Sequence, residues 1–230
     1  MTGYTFNSTA VVLHDPVEGL RPELIEGTPN LRRARLSDAV LFGGPLVRTC
    51  LEHAPIVGDR VYVVVDTKVS FLMPGWMPAI PGWHTDGVPR GVAYGPGFDP
   101  ASSGAPSMAE QQRQADTGYF PRYHTIIVGN DCPTAFVVQP LLLYLERGES
   151  TELYAEMTRA VDALDPLLLV APQVDQWASW DWWNIHRATE ADDRGWRLLI
   201  RVTESDTVAP ATKGFIRAQS QVYVPQEFGW

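Results

Sequence analysis

Cysteine is nearly absent. The chain has two in 230 residues, Cys50 and Cys132, and neither belongs to a Cys-x-x-Cys pair. That excludes a structural zinc site built from cysteines and argues against a disulfide framework. Long apolar runs are missing too: no stretch approaches the ~18 residues a membrane span needs. The N-terminal Met-Thr-Gly-Tyr-Thr-Phe-Asn-Ser lacks a basic patch followed by an apolar core, so no signal peptide is expected, and the setting predicted is a reducing cytoplasm. Positive charge is scarce as well. A net charge of -9 disfavours a broad grip on a phosphate backbone, although it leaves room for a local basic groove. No repeat, heptad run or low-complexity tail is evident.

What is present reads as an ordinary globular chain, with 45% hydrophobic and 20% charged residues. Its length suits one domain, 1–230, with a large core. Strand signals are short and frequent. Ala10–Leu13, the β-branched run Arg60–Asp66 with an extension to Met73, Tyr123–Val128, Thr134–Val138, Leu167–Val170, an aromatic extended segment Trp177–Arg187, Trp196–Thr203 and Gln219–Val224 are predicted as strands. Residues 15–36, with three prolines and the cluster Arg32, Arg33 and Arg35, read as an irregular surface segment whose charges are solvated. Helices are expected after Pro45, to His53, and over Ser150–Leu164, where Leu153, Met157, Ala160 and Leu164 share a face. Residues 87–121 shift to Gly, Pro, Ser and Ala and are expected to form a lid or insert. Many strands, few helices and dense Pro/Gly punctuation predict a mainly β fold, a double-stranded β-helix or jelly roll.

The stretch that carries chemistry is Trp83-His84-Thr85-Asp86. His-x-Asp on a strand edge puts both side chains on one side, because strands alternate with period two. A histidine from a distant strand, His186, would complete a set of two imidazoles and one carboxylate. Three such ligands on one face leave positions open on the other, which suits oxygen activation by non-haem iron. His-x-Asp alone is weak evidence, and its context strengthens it. Arg197 lies eleven residues beyond His186 (197 − 186) and Arg201 fifteen (201 − 186), at the same parity on one predicted strand. A guanidinium fork binds a carboxylate bidentately. His124 is a competing third ligand, read instead as a hydrogen-bonded structural histidine. Trp177, Trp180, Trp182, Trp183 and Trp196 are read mostly as core, with one or two available to wall a pocket.

The pattern resembles the Fe(II)/2-oxoglutarate-dependent dioxygenases, which carry HxD…H ligands and a downstream arginine on a double-stranded β-helix. Trp83-His84-Thr85-Asp86 is similar to the corresponding stretch of the taurine dioxygenase group. The superfamily also includes phytanoyl-CoA hydroxylase-like enzymes. Arg201-Val202-Thr203 resembles an R-x-S/T form of the arginine element, and Cys132-Pro133-Thr134 the segment whose threonine helps hold the same carboxylate. The resemblance spans about residues 60–205. It implies Fe(II) on His84, Asp86 and His186, and 2-oxoglutarate held by Arg197 or Arg201 with Thr134. It also implies molecular oxygen as oxidant and a small-molecule substrate to be hydroxylated. Two alternatives stay open: the same chemistry on a nucleobase in DNA, or a non-catalytic jelly-roll binding module.

Overall fold

The computed structural model describes residues 2–86, 108, 113, 121–146, 153–165 and 167–211. The expected lid at 87–121 falls almost wholly outside the described residues, as does the strand predicted at Gln219–Val224. The elements run β1 (Thr2–Phe6), β2 (Val12–Pro16), a 3-10 turn (Pro22–Leu24), β3 (Ala34–Arg35), α1 (Leu36–Phe42), α2 (Gly44–Glu52) and β4 (Tyr62–Leu72). They continue with β5 (Arg122–Gly129), β6 (Thr134–Val137), β7 (Leu141–Leu145), α3 (Leu153–Asp162), β8 (Leu169–Val170), β9 (Gln176–Asp181), β10 (His186–Ala188) and β11 (Gly195–Ser205). The fold is mainly β, as expected.

A six-stranded antiparallel sheet, in the order β2-β9-β5-β11-β4-β3, forms the frame. A three-stranded sheet, β10-β6-β8, and a two-stranded sheet, β1-β7, make up the rest. These antiparallel sheets, the smaller ones set against the large one, are arranged in the jelly-roll manner. Alternation along β11 shows how the large sheet divides the molecule. Leu198, Ile200 and Val202 enter a core shared with Ala39, Leu46, Val47 and Leu51 of the helices. Arg197, Leu199 and Arg201, one residue out of phase, line a cavity on the other face. A second core beyond that cavity gathers Trp83, Phe136, Leu153, Met157, Trp180 and Trp183.

Three expectations need correction. Trp177–Arg187 is not one extended segment. Asp181 accepts the Trp183 N–H (2.7 Å) and Asn184 Oδ1 accepts the Asp181 N–H (2.9 Å), which closes a turn. β9 and β10 therefore belong to different sheets. The basic cluster is only partly a solvated face: Arg35 is exposed, but Arg32 turns inward to Asp66, 3.3 Å away. The first predicted strand is displaced, and Leu141–Leu145, not foreseen as a strand, pairs with β1 in full register.

Candidate metal centre

His84 is outside any long strand, but its backbone bridges to His186 in both directions, N–H to O at 3.0 and 2.9 Å. That bridge extends the β10 edge by one residue and brings two stretches a hundred residues apart into register. The imidazole centroids lie 4.5 Å apart. Asp86 follows at the turn. Ligand atoms of His84, Asp86 and His186 all fall within 4.8 Å of one another, and all three side chains are buried. Among the described residues they are the one group of three metal-ligating side chains. This set fits the HxD…H pattern.

The imidazoles are oriented by the main chain. His84 Nδ1 donates to the Gly82 carbonyl and His186 Nδ1 to the Asn184 carbonyl, both at 2.9 Å. With Nδ1 as the donor, Nε2 carries the lone pair, which is the form a metal takes. Asn184 is itself locked, its Nδ2 donating to Ser8 O at 2.7 Å. On the other flank α3 holds the turn: Trp83 N–H donates to Thr158 Oγ1 (2.9 Å) and Trp83 Nε1 to Asp162 (2.8 Å). Arg187 lies over the Trp83 ring, 4.4 Å from its centroid.

The three side chains face a cavity of about 160 Å³. Thr134, Thr125, Trp180, Asp66, Lys68, Arg197 and Arg201 also line it. The two arginines, equivalent by parity, have different surroundings. Arg201 Nη1 donates to Asp86 Oδ2 at 2.6 Å and Nη2 to Asp66 Oδ2 at 3.4 Å. Burial opposes its charge, but Asp86 and Asp66 outweigh that and hold its proton more firmly than usual. Arg197 is 3% exposed and donates through Nε to Cys132 O at 3.0 Å. Neither of its Nη groups has a partner among the described residues. Burial pulls its pKa down to about 10, which leaves it charged at neutral pH. Thr134 belongs to the same segment as Cys132 and pairs with Ala188 across β6–β10.

His124, the competing ligand, is on the opposite face of the large sheet. Its Nε2 donates to Glu204 (2.8 Å) and its Nδ1 accepts from Ser179 Oγ (2.7 Å), which is the structural role expected of it. Trp177, Trp180, Trp182 and Trp183 are buried, and Trp180 walls the cavity 4.6 Å from the His186 ring. Sequence reasoning passed over Asp66 and Asn184. Asp66 had a usable signal, an acid inside the β-branched run Val63-Val64-Val65, where an unpaired charge would be costly.

No protein-family model matches the chain, and no curated protein matches it. Solved structures are similar at low identity. EvdMO1 is 12% identical with a TM-score of 0.40, over 88% of this chain and 48% of its own, so the chain spans about half the length of EvdMO1. AviO1 from Streptomyces viridochromogenes Tue57 is 14% identical with a TM-score of 0.38, over 89% of this chain and 93% of its own. EvdO2 from Micromonospora carbonacea var. aurantiaca, complexed with 2-oxoglutarate, is 14% identical with a TM-score of 0.34, over 84% and 73%.

Proposed function

We propose that the chain is an Fe(II)- and 2-oxoglutarate-dependent oxygenase that hydroxylates a small molecule. The observation that carries this reading is Arg197. A buried guanidinium without a carboxylate partner is costly unless a ligand supplies the anion. Arg197, whose two Nη groups have no partner among the described residues, lines the same cavity as the three clustered ligand side chains. The residues fit the metal. Two imidazoles with Nδ1 engaged and one carboxylate form a facial donor set of the kind iron takes in oxygenases. When bound, iron and 2-oxoglutarate supply, with dioxygen, the oxidation that turns a substrate C–H into C–OH while 2-oxoglutarate becomes succinate and carbon dioxide.

The chain's own residues do the rest. His84, Asp86 and His186 hold the metal. Arg197 clamps the far carboxylate of 2-oxoglutarate through its Nη pair, and Thr134 adds a neutral hydrogen bond to it. Burial of Arg197 takes its guanidinium out of water, which strengthens a charge-assisted pair with the carboxylate. The net charge of -9 favours a small molecule over nucleic acid as substrate.

The test is calorimetry without oxygen, with Mn(II) as a redox-inert metal. Asp86→Ala is expected to abolish Mn(II) binding with the fold intact, as read by circular dichroism. Arg197→Ala is expected to weaken 2-oxoglutarate binding far more than Thr134→Ala, since a charge-assisted pair contributes roughly 1.5–3 kcal/mol against about 1 for a neutral bond. Arg197→Lys should rescue only in part. If folded Arg197→Ala binds 2-oxoglutarate as the wild type does, the oxygenase reading fails and a binding module becomes the better description.

A further inference from the structure

We propose that Arg201, backed by Asp66, is a positioning residue that holds Asp86 as a one-oxygen metal ligand. The inference rests on the metal-centre reading above and assigns Arg201 no carboxylate of any bound molecule.

The geometry of the guanidinium carries it. Binding a ligand carboxylate bidentately takes two adjacent N–H groups of the fork. In Arg201 both Nη groups already serve carboxylates of the chain, at 2.6 Å to Asp86 and 3.4 Å to Asp66, and Nε is enclosed without a partner among the described residues. Arg197 presents the reverse: it lines the cavity, its Nε is engaged, and neither Nη group has a partner among the described residues. The fork of Arg201 is therefore spent on the protein itself.

The choice of oxygen matters. Arg201 takes Oδ2 of Asp86, while Oδ1 faces His186 Nε2 at 3.6 Å. Oδ1 is then the oxygen placed beside the other ligands, and Oδ2 is held away by a charge-assisted bond. An iron held by one Asp86 oxygen and the two imidazoles would keep its remaining positions open for a keto acid and oxygen. A carboxylate binding through both oxygens would close one of them. Metal-bound carboxylates are themselves hydrogen-bonded by outer partners that orient them.

Arg201 is in turn held on several sides. Asp66 lies directly opposite it on β4. The other oxygen of Asp66 accepts the Arg33 N–H at 3.0 Å and Arg32 Nη1 at 3.3 Å. The Tyr123 ring lies below the guanidinium, 5.3 Å from centroid to Cζ. The line Asp86–Arg201–Asp66 thus runs from the ligand cluster across the β11–β4 ladder to the segment before β3.

The test compares the wild type with Arg201→Lys, Arg201→Gln and Asp66→Asn. Mn(II) affinity is read anaerobically by calorimetry, and the visible spectrum of the Co(II) form reports coordination geometry. Arg201→Gln is expected to lose roughly 10–100-fold in Mn(II) affinity, the range for outer-shell partners, and to change the Co(II) spectrum. Arg201→Lys should recover most of both, because an ammonium can still hold one oxygen. Asp66→Asn should lose less than Arg201→Gln. If Arg201→Gln does not fold, Arg201→Lys and Asp66→Asn carry the comparison. Unchanged Mn(II) affinity with lost 2-oxoglutarate affinity would make Arg201 a carboxylate binder and overturn the inference. Unchanged Mn(II) affinity and Co(II) spectrum, with only a lower melting temperature, would reduce it to a structural ion pair. If the wild type takes up no Mn(II), the metal-centre reading falls first; if it does and the variants match it, only this inference falls.

Discussion

Gly82 shows how much the candidate centre depends on single positions. Its carbonyl accepts the His84 Nδ1–H, and its φ of +99° is a conformation L side chains rarely adopt. A Cβ there would stand 2.4 Å from Thr158 Oγ1, the atom that receives the Trp83 N–H. Gly82→Ala is therefore expected to cost at least about 1 kcal/mol from the backbone alone. It should also weaken metal binding, because the His84 ring loses its fixed tautomer. Urea unfolding and Mn(II) calorimetry check the two effects. Adding Thr158→Ala should relieve the steric part and leave the backbone part. Stability equal to wild type in Gly82→Ala would contradict the account.

At the scale of elements, β5, β9 and β11 are joined by a polar chain at the end of the large sheet. His14 Nε2 meets Ser179 Oγ at 2.8 Å, Ser179 meets His124, and His124 meets Glu204. Glu204 also accepts from the Val57 and Gly58 N–H groups and from Arg122. Burial lowers the His124 pKa from its ordinary 6.5; Glu204 raises it, Arg122 and His14 lower it, and the net direction is down. The sign of the consequence follows. Above about pH 6.5 His124 is neutral in both folded and unfolded chains and contributes no pH dependence. As pH falls through that value the unfolded chain takes a proton that the folded one refuses, so stability falls, by at most about 1.4 kcal/mol per pH unit for one proton. Glu204 is held below its ordinary range: burial works against this, and the hydrogen bonds from His124, Gly58 and Val57 outweigh it. Its contribution is lost only on further acidification. Urea unfolding of metal-free protein between pH 7 and pH 5 should show this slope, and His124→Gln should flatten it. Stability that rises on acidification in the wild type would mean the pair is charged when folded.

For the whole molecule, ligands that bind only the folded chain should stabilise it by mass action, about 2.7 kcal/mol at a concentration one hundred times Kd. Under the proposed function the effect is ordered. Mn(II) raises the melting temperature by itself, and 2-oxoglutarate adds to it only when the metal is present. Equal stabilisation by 2-oxoglutarate after chelator treatment would sink the claim that both meet in one cavity. What the sequence by itself determined was the mainly β class and most strands, because β-branched runs such as Val63–Val65 and Trp196–Thr203 have few other solutions. It also marked the His-x-Asp stretch and the paired arginines, since period two places residues on faces without reference to the rest of the chain. Tertiary structure decided everything that needed contact between distant stretches. The His84–His186 bridge depends on two backbone segments meeting. The division of Trp177–Arg187 into strands of different sheets depends on a turn closed by Asp181 and Asn184, which periodicity does not register. Arg197 and Arg201 are alike in type and parity, and only the neighbouring strands separate them. Asp66 on β4 and Asp86 at the turn after His84 reach Arg201, while Arg197 meets a backbone carbonyl and lines the cavity.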